Sequence, residues 1–462
     1  MQTRIEKYVM AAVLFTLPFG TGLAYTPILK VDLVLMCDVF LALLYALWLY
    51  RTNVLTNIRL RAGALFKPAM FILLWSLLSL TSAIAMTATG FGIFMMIKAY
   101  MLYFYLVNNI KTKPQLIFAV NALIYSLLFQ GIVGTGQFVL GRDLGLGFLG
   151  ERGSNYGKEL ARMRGTLGYP NQFGAFIILL LPLAISLAVF VRRSFYKTVL
   201  IIASGLGLGT LFLTLSRSSW AGFLIASIVF LFLLFRRGLL KPKFIGGFAA
   251  LAIAVALIAF LNWDKIQARF ESGSEAKWRI LMIEIAFPII ADYPVFGVGL
   301  NNYQWHSFDE FRFWHPVHNE FLRLAAELGI PGGIFFIWMF VCVLRECYRN
   351  IRIKDTTINA VAVGVFCGIV AFMVAINFGP EYQHYRIQMT FWALCGFAFS
   401  FQQIRALEIM RAKKQQEMAN PKTVPSAQNG TLAPANGNGS QNPPLTPPRR
   451  GMGANNLRVG RS

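Results

Sequence analysis

Long apolar stretches separated by short polar ones fill most of the chain. Stretches of about 18 to 25 residues, enough to cross about 30 Å of hydrocarbon as helices, recur at residues 8–26, 31–50, 66–86, 91–108, 115–140, 170–191, 198–215, 218–235, 244–263, 330–347, 357–378 and 387–405. They predict an all-α polytopic membrane protein with about twelve transmembrane helices. An even number of crossings returns the chain to its starting side. The first stretch follows Arg4 and Lys7, has no small-residue cleavage site and leads directly into the second, so it reads as a retained helix rather than a secretory signal.

Composition agrees with this pattern and charge orients it. The 462 residues have a mean hydropathy of +0.57 and carry 43 Lys and Arg against 20 Asp and Glu, a net charge of +23. In a soluble protein that excess would point to nucleic acid. Here it divides by side: with the N-terminus inside, the cytoplasmic segments hold 28 cations and five acids, whereas the outer segments hold 14 of each. The excess therefore lies in cytoplasmic loops and tail, as the positive-inside rule requires, and both termini are expected there. Asp38 and Lys98 fall within spans and either pair or snorkel. The tail, residues 406–462, is basic and becomes rich in Asn, Gly and Pro, a composition that predicts disorder. The five cysteines show neither paired metal spacing nor a place in an outer loop, so neither a metal site nor disulfides are expected.

Two outer segments are long, residues 141–169 and the large one at 264–329 between the ninth and tenth spans. The second holds three of the four histidines together with Arg279. Trp278, Leu281, Met282, Ile285 and Ala286 form an apolar stripe at helical spacing, placing Arg279 near the start of an interfacial helix, where it is either an anchor or a ligand for an anion. The turn Asp292-Tyr-Pro-Val-Phe-Gly-Val-Gly-Leu-Asn301-Asn-Tyr303 follows, its glycines bringing backbone amides close to whatever binds. Next, Asn319 is placed to cap a helix that starts at Glu320 and stops at Gly329. His318, at the positive end of that helix, is favoured as neutral imidazole able to accept a proton, or is an interfacial histidine satisfied by its loop. Arg217, alone in a tight outer turn, and Arg164, leading toward Asn171 at the start of the sixth span, add two guanidiniums suited to phosphate oxygens.

In this order the motifs resemble the O-antigen ligase and polymerase superfamily. The most specific is His318-Asn319, nine residues, Gly329, two residues and Gly332, which matches the ligase pattern in full. The elements around Ser216-Arg217, Arg279 with Pro294–Gly299, and residues 164–171 are also similar, and the resemblance covers roughly residues 160–340. It implies a transmembrane glycosyltransferase domain, residues 1–405, in the bacterial inner membrane with its active site facing the periplasm. The implied reaction moves a glycan from undecaprenyl diphosphate to a sugar hydroxyl of lipid A–core, inverting and without metal or cofactor. Arg217, Arg279 and His318 correspond to the family's functional residues, with Glu320 the rival base. Arg164, Asn171, Asn301, Tyr303, Asn319 and Glu320 are expected to bind substrate. Partners would be the two lipid-linked substrates and membrane lipid, with no nucleic acid. Two rivals remain: a polymerase joining polyprenyl-linked repeat units, and a secondary transporter. The transporter reading lacks an internal repeat and has few mid-membrane charges.

Overall fold

The computed structural model describes residues 2–26, 31–52, 63–151, 162–191, 195–236, 274–353 and 355–419, with a few isolated positions between these ranges. In chain order the helices are α1 (Arg4–Thr16), α2 (Met36–Thr52), α3 (Phe66–Leu78), α4 (Met86–Asn109), α5 (Lys113–Leu140), α6 (Pro170–Phe190) and α7 (Phe195–Leu213). They continue with α8 (Arg217–Arg236), α9 (Ser274–Asp292), α10 (Tyr303–Phe311), α11 (Glu320–Asn350), α12 (Thr356–Ala375) and α13 (Tyr385–Ala419). Among the described residues α4 to α8, α11 and α12 are long and apolar enough to cross a membrane, seven helices in all. The chain is an all-α, multi-pass membrane protein carrying one small β-hairpin. The expected ninth span, residues 244–263, lies almost wholly outside the described residues.

The first two expected spans are corrected. Helix α1 ends at Thr16, because Pro18 two residues on cannot continue it. The chain then forms β1 (Gly22–Thr26), which pairs antiparallel with β2 (Val31–Leu35), Ala24 opposite Val34 and Thr26 opposite Val31. The second helix accordingly begins at Met36 instead of Val31. A run of apolar, β-branched residues fits strand and helix alike, and the pairing partner decides. At the other end α13 runs to Ala419, past residue 405, since Ala, Leu, Glu, Met, Lys and Gln dominate that stretch and favour helix. The rest of the tail lies outside the described residues, and the chain divides into units Met1–Arg411 and Ala412–Ser462.

Close helix packing centres on α12. A Cβ added at Gly364 would meet the backbone of Leu183, one at Gly368 the carbonyl of Leu179, and one at Gly222 the carbonyl of Ala371. Small residues thus let α6, α8 and α12 approach backbone to backbone, the source of van der Waals cohesion where lipid removes the hydrophobic drive. The two intraspan charges pair: Lys98 Nζ lies 2.7 Å from Asp38 Oδ2, and Tyr385 donates its hydroxyl to the other carboxylate oxygen. The pair joins α2, α4 and α13, and Lys98 also lies over the Tyr385 ring at 4.3 Å.

A second, smaller core forms outside the main bundle. Met282, Ile285, Ala286 and Ile289 of α9 turn inward, and Ile285, Ala286 and Ile289 pack on Val298, Tyr303, Val317 and Ala326. Met282, Ile285 and Ala286 of the apolar stripe are therefore buried and Leu281 partly so, whereas Trp278 is half exposed and stacks on Phe313. The turn after α9 docks on α11 through reciprocal glycines. Gly297 (φ +65) sits on the carbonyl of Glu327, Gly329 (φ +69) sits on the carbonyl of Val295, and a Cβ on either would collide with that backbone. Val298 N donates to Ala326 O at 3.0 Å, Gly299 N to Glu327 O at 2.9 Å and Ile330 N to Pro294 O at 2.9 Å. Gly329 breaks the helix as its composition suggested, but at ψ 179° it lets a second helical run resume, so α11 continues to Asn350.

Two outcomes follow from this packing. Replacing Lys98 alone by Met strands a buried carboxylate and costs about 3–5 kcal/mol; thermal unfolding in detergent will show K98M well below wild type, with D38N/K98M recovering part of the loss. Gly329→Ala forces a side chain into a conformation essentially reserved for glycine, costing about 1–3 kcal/mol before the collision is counted, and limited proteolysis will then cut the turn at residues 293–301 faster than in wild type.

Candidate functional site

A cavity of about 910 Å³ opens among α4, the start of α6, the turn around Asn301, the segment before α11 and the short turn between α12 and α13. Its size is that of a site for a sizeable ligand. Apolar Met95 and Met96 line one part, while Asn171, Asn301, Gln304 and Gln383 supply amides, and Trp314 and Tyr382 supply aromatic faces. Amides, carboxyls and flat aromatic rings are the groups that suit sugar hydroxyls and sugar faces.

Three of the residues singled out from sequence line this cavity: His318, Asn171 and Asn301. His318 is half buried, and its Nδ1 lies 3.2 Å from the carbonyl of Pro316. A carbonyl only accepts, so in the neutral ring Nδ1 carries the hydrogen and Nε2 is the basic nitrogen. Asn301 adopts a left-handed conformation, φ 60°, and its backbone N–H, with that of Tyr303, donates to the carboxylate of Glu327. Asn171 accepts from Arg162 Nη2 at 2.7 Å, and Arg162 Nε donates to Thr214 O at 2.8 Å.

The segment leading into α6 thus contributes Arg162 to the cavity lining, whereas Arg164, two residues on, is half buried outside it. Backbone N–H groups of Gly165 and Thr166 donate to Gln137 Oε1 (3.0 Å) and Gln130 Oε1 (3.1 Å) of α5, which fixes which arginine turns toward the cavity. Arg217 opens α8 directly after the Thr214-Leu215-Ser216 turn, in which Leu215 has φ 50° and Thr214 is held by Arg162. A cation at a helix N-terminus opposes the dipole, a placement that an anion would relieve. Arg279 lies in the first half of α9 and, like Arg162, acts electrostatically on Glu381 of the cavity wall. Arg162 and Arg279, from separate segments, therefore bring positive charge to one place.

The other three candidates do structural work. Asn319 caps α11, its Oδ1 accepting from Phe321 N (3.0 Å) and Leu322 N (3.1 Å). Tyr303 is buried in the second core and donates to Met282 O at 3.0 Å. Glu320 is fully buried: one oxygen takes Arg323 Nε at 2.7 Å and the other takes Gln383 N at 2.7 Å. The rival base is thus occupied on both oxygens.

The turn between α12 and α13 was missed in the sequence. Glu381, Gln383, His384, Tyr385, Arg386 and Gln388 all line the cavity. Arg386, in the first turn of α13, donates to Thr166 O at 3.1 Å and Leu167 O at 2.8 Å, tying the start of that helix to the Arg162 segment. Burial, with Arg386 and Arg323 close by, pushes the His384 imidazole down to about 3, so it stays neutral. Burial, reinforced by the Glu320 carboxylate, pushes Glu381 up to about 8 against the pull of Arg162 and Arg279. The available signal was close to the one that singled out Arg217: Glu381, His384 and Arg386 crowd into a short turn between two expected spans.

Among the described residues no three His, Cys, Asp or Glu side chains converge as a metal-binding group. The cavity offers instead a neutral imidazole, an unusually basic carboxyl, guanidiniums and amides, a set able to hold an anion, bind sugars and move one proton. No curated protein matches the chain. Residues 202–337, which run from α7 into α11 and carry Arg217, Arg279 and His318, match the family model for O-antigen ligase, and this match supports membership of the O-antigen ligase and polymerase superfamily.

Proposed function

We propose that the chain is an O-antigen ligase, transferring a glycan from undecaprenyl diphosphate to a sugar hydroxyl of lipid A–core at the periplasmic face of the inner membrane. The observation that carries this reading is His318 facing a sugar-suited cavity with Nδ1 committed to Pro316, leaving Nε2 as its proton acceptor. Family-level support covers assembly of lipid-linked glycans; the full match of residues 318–332 to the ligase pattern favours ligation over polymerisation.

In the proposed reaction the diphosphate lies against Arg279 and Arg217, with Arg162 from the first outer segment beside them and Arg164 behind. As the acceptor oxygen attacks the anomeric carbon from the face opposite the diphosphate, His318 Nε2 takes its proton. The bond from the anomeric carbon to the phosphate oxygen breaks, the electron pair leaves with undecaprenyl diphosphate, and the anomeric configuration inverts. Negative charge grows on the leaving group as that bond stretches, and preorganised guanidiniums stabilise it most at that moment. Asn171 and Asn301 orient sugars. The bilayer contributes by holding both lipid-linked substrates in one plane, which lowers the entropy cost of their meeting.

His318→Ala and Arg279→Ala are expected to lower transfer by at least about 100-fold each, the scale for loss of a proton acceptor or a charge-stabilising group, while membrane insertion stays normal; wild-type transfer in both would remove the mechanism. In a deletion strain, the lipopolysaccharide profile is expected to lose all long-chain glycan while undecaprenyl-linked polymer accumulates. Core carrying single repeat units would instead identify a polymerase.

A further inference from the structure

One acid in the cavity has no part in the reaction as proposed. Glu381 begins the short 3-10 turn Glu381–Gln383 and lines the cavity, yet it is only 2% exposed. Its Oε2 is buried and has no hydrogen-bond partner among the described residues. Gly379 backs the other oxygen closely, since a Cβ there would fall 2.7 Å from Oε1. An ionised carboxylate held this way, with an oxygen unsatisfied, is costly.

Charges face it from every side. Glu320 stands at the start of α11, Arg162 comes from the segment leading into α6 and Arg279 from α9. Arg323 of α11 binds Glu320, His384 follows on the same turn as Glu381 and Arg386 stands in the first turn of α13; His315 and His318 line the cavity beyond. Burial and Glu320 favour the protonated acid, whereas the two arginines favour the anion. A diphosphate held by those arginines would cancel their pull on Glu381 and add its own negative charge. The carboxyl then keeps its proton and becomes a hydrogen-bond donor.

We propose that Glu381 is a further, neutral ligand for the diphosphate of the lipid-linked donor, giving the hydrogen on Oε2 to a phosphate oxygen while the arginines hold the charge. This rests on the diphosphate donor proposed above. Glu381 forms no covalent bond; below about pH 8 it already holds its proton, and above that pH one enters from solvent as the donor binds and returns to solvent when the diphosphate product leaves. Because the donor binds the protonated form, affinity is level where free Glu381 already holds its proton and falls as pH rises above about 8.

The test is calorimetry of undecaprenyl diphosphate binding to the purified full-length protein, in buffers of different ionisation enthalpy. Wild type is expected to take up little at about pH 6 and toward about one proton per donor at about pH 9. Glu381→Gln should bind without that uptake and with affinity independent of pH, while His318→Gln should keep the uptake. Glu381→Asp, which retains the acid but shortens its reach, should keep the uptake with weaker binding. Wild-type uptake in E381Q, wild-type affinity in E381D, or binding by wild type at about pH 9 without uptake would each overturn the proposal. Failure of wild type to bind undecaprenyl diphosphate at all would instead remove the donor assignment on which it rests.

Discussion

The walls of the cavity depend on one buried guanidinium. Arg323 lies between Glu320 and Glu327, three residues before it and four after it on the same helix face, and all three are almost wholly buried. Each acid is also tied elsewhere: Glu320 to the backbone of Gln383, and Glu327 to the backbone N–H groups of Asn301 and Tyr303. Two turns of one helix therefore hold together the two loops that wall the cavity. Buried ion pairs seldom add stability beyond an apolar alternative, but losing one member leaves the rest stranded. Their worth here lies in placing three separate segments in register.

Much of the membrane body was legible in the chain because apolar length is nearly sufficient to define a span, and α4 to α8 end within a few residues of the expected limits. The failures have local causes. Pro18 cuts the first stretch short, and Val31 to Leu35 finds a strand partner that no window of the sequence displays. The helix from Glu320, its cap at Asn319 and the apolar run from residue 330 were legible, whereas the docking of the Gly329 break onto Val295 and Pro294, distant in sequence, was not.

The site divides the same way. Residue types with strong chemical character, His318 and the arginines, stood out. Which of Arg162 and Arg164 turns inward did not, because two glutamines of α5 decide it. Glu320, the rival base, has its two oxygens taken by Arg323 and by the backbone of Gln383, partners that no motif displays. Glu381 went unnoticed because its character comes from burial between segments more than 60 residues apart, a property of the packed molecule rather than of any motif.

The interval from His318 to Gly329 is both a ruler and a protractor. The helix between them, Glu320 to Leu328, is about two and a half turns and about 13 Å of rise, so His318 precedes it at the cavity end and the glycine break closes it at the docked turn. Gly329 is pinned there by its contact with Val295. One residue more would leave that anchor in place and swing His318 by about 100° about the helix axis, away from the cavity. The fixed count between the two residues is thus a setting of angle, written in chain length.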